Sequence, residues 1–132
     1  MAEIRIIHPN ERETESASGG MTRAAGVSMA LVGAEGIHMA IATIPPGHPS
    51  IPHVHTNCES ALYVLSGHGR FLIGDDLSEA LDFGPGDCLY VPPGAPHAPV
   101  NDGDEPIELV VVRNAPVEIV EEYAVGSVKK EV

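Results

Sequence analysis

The chain has 132 residues, enough for one domain with a real core. Its 7 Lys and Arg stand against 19 Asp and Glu, a net charge of −12 that excludes a phosphate-gripping surface for nucleic acid and disfavours an anionic membrane. Apolar residues make up 43%, with 14 Gly and 12 Pro, the mixture expected of many short strands between tight turns.

In chain order, residues 4–7 predict a first short strand and residues 9–20 an irregular polar arm. Residues 27–32 and 37–44 predict strands divided by the turn Gly33-Ala34-Glu35-Gly36, with a short helical turn between residues 20 and 29 as a competing local reading. Pro45, Pro46 and Pro49 then interrupt pairing, because proline has no N–H to donate. Further strands are expected at 51–55, 61–65, 70–73, 80–83, 88–91, 97–100, 107–113 and 117–121, and residues 126–132 form a C-terminal tail. Turn signals separate them, such as Gly67-His68-Gly69 and Gly84-Pro85-Gly86. So many short strands must hide their edges, which predicts an all-β, single-domain barrel or two-sheet jelly roll over residues 1–132. No apolar run is long enough to span a membrane and no secretion signal is visible, so a cytoplasmic protein is expected.

Chemistry concentrates at His53, His55, Glu59 and His97. Side chains two apart on a strand share a face, so His53 and His55 project together. Three imidazoles and a carboxylate suit one divalent transition metal (Fe, Mn, Ni, Co or Zn) and suit calcium poorly. Pro92, Pro93, Gly94 and Pro96 restrict the backbone that delivers His97.

Residues 47–67 read GHPSIPHVHTNCESALYVLSG and residues 86–101 read GDCLYVPPGAPHAPVN. The pair resembles the two motifs of the cupin superfamily, small jelly-roll barrels also described as double-stranded β-helices. The second motif fits at Gly86, Pro92, Gly94, His97 and Asn101; the first fits at Gly47, His53, His55 and Glu59. Seven residues separate Glu59 from Gly67, one more than the family pattern. The resemblance implies that His53, His55, Glu59 and His97 are the metal ligands, and that the protein is a homodimer. A bulge keeps Glu59 on the inner face; without one, Ser60 takes that place and Glu59 is free to act as a general base.

Tyr63 and Tyr90 are candidate proton carriers beside Glu59. Cys58 is expected to pack, or to serve as an extra soft ligand or oxidisable thiol; Cys88, in an apolar run, is expected to be buried. His8, His38, His48 and His68 are expected to be exposed or bonded in turns, and Arg70 and Arg113 to lie at the surface, with a substrate carboxylate as the alternative partner of either arginine. A small organic molecule with an oxygen donor is the expected partner. It would be turned over by oxygenase, isomerase or lyase chemistry. The alternatives are non-catalytic binding or sensing of a small ligand, and an accessory role in an oligomer.

Overall fold

A computed structural model describes residues 2–16, 21–48 and 51–125. Among them, β1 (Glu13–Ser16), β2 (Thr22–Val27), β3 (His38–Ile44), β4 (His53–His55), β5 (Ser60–Ser66) and β6 (Gly69–Ile73) precede β7 (Glu79–Phe83), β8 (Cys88–Val91), β9 (His97–Val100), β10 (Ile107–Arg113) and β11 (Val120–Glu122). A helical turn α1 (Met29–Val32) follows β2. The strands form two antiparallel sheets, ordered β1-β2-β3-β10-β5-β8 and β11-β4-β9-β6-β7. This is the expected jelly roll, and no described helix is long and apolar enough to cross a membrane.

Alternation along the strands sets the core. On β5, Ser60, Leu62 and Val64 point in while Ala61, Tyr63 and Leu65 point out. Leu62 and Val64 join Ile44, Phe71, Phe83, Val91, Ile107 and Leu109 in one apolar cluster between the sheets. The motif residues that bind nothing have structural work. Gly67 takes φ 88°, and a Cβ there would stand 2.5 Å from the Pro106 carbonyl oxygen, so no other side chain fits. Buried Asn101 donates to the carbonyls of Ile44 (3.0 Å) and Glu105 (2.8 Å), tying the end of β9 to β3.

Several local expectations are corrected. Residues 4–7 form no strand, and the arm contains a 3-10 turn (Pro9–Glu11) followed by β1. β1 is too polar to read as a strand, yet it pairs in register with β2, from Glu13 opposite Ala25 to Ser16 opposite Thr22. The expected strand at 27–32 is split. Ser28 accepts the Leu31 N–H at 3.1 Å and Gly33 closes the turn at φ 73°, a cap at each end that makes α1. The helical turn thus follows β2 rather than lying within residues 20–29. Cys88 is exposed rather than buried, because the outward face of β8 carries it. The tail at 126–132 and arm residues 17–20 lie outside the described residues.

Candidate metal centre

His53 and His97 stand directly opposite each other on the paired strands β4 and β9, and His55 follows two residues along β4. The ring centroids lie 4.5 Å (His53–His97), 5.1 Å (His53–His55) and 5.3 Å (His55–His97) apart. One ligand nitrogen from each falls within 4.8 Å of the others.

The rings are fixed from behind. Nδ1 of His53 donates to the Ile51 carbonyl at 2.8 Å, and Nδ1 of His97 to the Ala95 carbonyl at 2.9 Å. Nδ1 of His55 faces Oε2 of Glu118 at 3.1 Å, off the line of an ideal hydrogen bond. All three acceptors call for the proton on Nδ1, which makes Nε2 the unprotonated nitrogen with which each ring would ligate. The Gly94 N–H, bonded to the His55 carbonyl at 2.8 Å, ties the loop before His97 to β4.

Burial favours the neutral form of His53 and His97. The pKa of His97 is held down to about 4, chiefly by desolvation, against the pull of the Ala95 carbonyl and with help from the other two imidazoles. His53 is lowered for the same leading reason, its Ile51 bond opposing. Three imidazole nitrogens at this spacing fit a divalent transition metal.

Glu59, Tyr63 and Tyr90 are not brought to the cluster. The in–out alternation from Ser60 to Val64 is unbroken, so Ser60 faces the cavity and Glu59 stands outside, exposed. The extra residue of the first motif is absorbed at Leu65, where the register with β10 slips between Ser66 opposite Glu108 and Val64 opposite Leu109. That slip comes too late along β5 to turn Glu59 inward. Tyr63 and Tyr90 are exposed on the outward face. The Tyr90 hydroxyl contacts Glu59, and its pKa is raised by desolvation and then by that charge.

The carboxylate at the cluster is Glu118, which the sequence reading missed. Arg23 reaches Glu118 at 2.9 Å and Glu15 at 3.2 Å; Arg113 approaches Glu118 at 3.7 Å; Glu15 also meets His38 at 3.1 Å. Burial pushes the Glu118 pKa up, but His55 and Arg23 outweigh it and hold it at about 2. Asn57 clamps the segment that presents Glu118, donating to the Val117 carbonyl and accepting the Ile119 N–H, both at 2.7 Å. Arg113 is buried rather than superficial, with bonds of 2.9 Å to the Ala115 and Pro116 carbonyls. His38, likewise buried, departs from its expected place in a turn. The sequence does carry one sign of Glu118: it alternates with Val117 and Ile119, both of which are exposed while Glu118 turns in. Arg70 is half exposed and pairs with Asp102 at 3.2 Å. Cys58 is buried, its thiol pKa raised by desolvation and next by Glu118.

Beside the histidines lies a cavity of about 60 Å³ walled by Leu62, Phe71, Val91 and Leu109, with Ser60 and Glu118 as its nearby oxygens. It has room for an ion and a few small donor atoms.

Residues 40–113, more than half of the chain, match the family model for a cupin domain. An uncharacterized protein of Methanocaldococcus jannaschii is 31% identical over 72 residues, covering 54% of this chain and 55% of that protein. The chain thus spans about half the length of that curated relative. Among solved structures, the polyketide cyclase RemF from Streptomyces resistomycificus superposes with a TM-score of 0.79 at 21% identity, over 95% of this chain and 89% of that one. An oxalate decarboxylase–formate complex from Lactobacillus farciminis gives 0.71 at 25% identity, over 87% of this chain and 34% of that one.

Proposed function

The chain belongs to the cupin family, and on that premise we propose that it holds one divalent transition metal and acts on a small oxygen-bearing organic molecule. The observation that carries this reading is the set of three imidazoles, each with Nδ1 facing an oxygen acceptor and one ligand nitrogen within 4.8 Å of the others. His53, His55 and His97 would hold iron, manganese, nickel, cobalt or zinc. When bound, such an ion supplies Lewis-acid polarisation of an oxygen donor and, for iron or manganese, redox chemistry.

The chain's own groups orient and enclose. Glu118 holds His55 in place and offsets positive charge behind it, while Ser60 presents a hydroxyl on the inner face. The apolar wall of Leu62, Phe71, Val91 and Leu109 limits water, strengthening polar contacts inside. An oxygen donor held at such a centre would be compatible with oxygenase, isomerase or lyase chemistry. The fold is shared with a cyclase and a decarboxylase, which supports a small organic molecule as partner.

A second reading, binding or sensing without turnover, is favoured by one observation. Glu59, Tyr63 and Tyr90 stand outside the cavity, and Glu118 is already engaged by Arg23 and His55, which leaves few groups to move protons.

A homodimer belongs to the same proposal, supported by apolar side chains such as Ile6, Met29 and Met39 left at the surface; light scattering tests it. So does a cytoplasmic location, since an exposed free thiol at Cys88 suits a reducing compartment.

Elemental analysis of the native protein beside a His53→Ala/His97→Ala variant tests the metal. Near-stoichiometric metal in the native protein alone is expected. None in either, after reconstitution, overturns the proposal.

A further inference from the structure

β7 and β8 are consecutive strands, joined through Gly84-Pro85-Gly86, yet they belong to different sheets and each is the last strand of its own. With no pairing between them the two sheets part along this side, leaving an open cleft of about 810 Å³. Leu81 and Ile73 line it from one sheet and Leu89 from the other, with Pro92 and Pro96 at its end. Phe71 and Phe83 also line it, their ring centroids 5.4 Å apart. Phe71 in turn stands 6.0 Å from the ring of His97.

Phe71, Val91 and His97 line this cleft and the 60 Å³ cavity alike, so the two spaces meet at these three side chains, one of them a proposed metal ligand. The cleft's charged lining residues are acidic, Asp75, Asp82 and Asp87, with no Lys or Arg among the described residues. That lining disfavours a phosphorylated or polyanionic ligand. Leu81 is 52% exposed here, apolar surface that a bound body would cover.

We propose that the β7/β8 cleft is the second half of the ligand site: it receives the flat, apolar, aromatic body of a small molecule whose oxygen-donor end reaches the metal centre past His97. The inference rests on the metal-centre reading and adds the substrate class. The small cavity admits only the donor end, and the cleft provides the volume for a body of two or more fused rings. Phe71 and Phe83, 4% and 5% exposed, form the floor of the cleft, so a ring lying in it would meet aromatic carbon, which favours an aromatic body over a saturated chain.

The test uses two chelators with the same oxygen donors, acetohydroxamic acid and 2-naphthohydroxamic acid, titrated calorimetrically into the nickel-loaded protein and its Leu81→Asp variant. The naphthyl compound is expected to bind the native protein at least about tenfold more tightly. Leu81→Asp should remove that increment and leave acetohydroxamate unchanged; Leu81 is exposed and outside the core, so the variant should keep the fold. The naphthyl compound should also slow alkylation of the exposed Cys88, which lines the cleft. Equal affinities for the two hydroxamates, or an increment that survives Leu81→Asp, overturn the cleft while leaving the metal centre standing. A second copy of the chain filling the cleft would overturn it too, read as a dimer that Leu81→Asp dissociates together with no naphthyl increment. Failure to retain nickel at all overturns the metal-centre reading and this inference with it.

Discussion

The two strands that carry the histidines and the segment that carries Glu118 are held in different ways. His53 and His97 each turn Nδ1 to a carbonyl two residues earlier in their own strand's approach, Ile51 and Ala95. Glu118 is set by partners far away in sequence: His55, Asn57, Arg23 and Arg113. The first arrangement is local, so a short motif can record it. The second depends on several strands being packed already, and its charges lie in a low-dielectric setting where each needs the others.

Glu118→Ala should break the distant arrangement most severely, because it leaves Arg23 and Arg113 partly or wholly buried without their shared carboxylate. A loss of roughly 3–5 kcal/mol is expected in urea unfolding of the metal-free protein. A loss below about 1 kcal/mol would mean that the arginines find other partners.

Acid should act on the local arrangement. The His97 pKa is lowered from 6.5 to about 4 in the fold, so an unfolded chain takes up this proton first. Stability contributed by the neutral ring is therefore complete above about pH 6.5 and falls away towards pH 4, by up to about 3 kcal/mol. Metal-free protein followed by denaturant titration from pH 7 to 4 measures it, and His97→Gln should flatten the slope. Metal should depart over the same range, since a protonated imidazole cannot ligate.

Glu118→Gln sharpens the contrast, because it keeps the shape and removes the charge. Metal affinity, read by chelator competition, should fall about 10- to 100-fold with the fold intact. The smallest effect is expected from Glu59→Gln: an exposed side chain outside the cluster should change stability by less than about 0.5 kcal/mol and leave metal affinity unaltered. A loss like that of Glu118→Gln would place Glu59 among the ligands after all.

The same contrast explains what could be read from the sequence. The strands from His38 to Arg113 were legible because alternation and Gly–Pro turns mark them. The His-x-His pair and His97 were legible because two residues on one strand face share a direction and the second motif fixes the third ring's strand. β1 was not, since its residues face out to charge partners rather than into an apolar core: Glu15 meets Arg23 and His38. Glu118 was hidden for the same reason. Between Glu59 and Ser60 the sequence left a choice: the histidine spacing puts Glu59 inward on a bulge, whereas counting back from Gly67 falls on Ser60, the residue that faces inward.

The family match begins at residue 40 and ends at 113, and His53, His55 and His97 all lie inside those limits. Glu15, Arg23 and Glu118 lie outside them, as does β11, which pairs with β4 opposite both of its histidines. A polypeptide trimmed to the recognisable family segment would keep all three imidazoles of the cluster and lose the strand and the carboxylate that hold two of them. The bonds that orient His53 and His97 travel with the recognisable segment, whereas the carboxylate behind His55 and the strand beside β4 are encoded outside it.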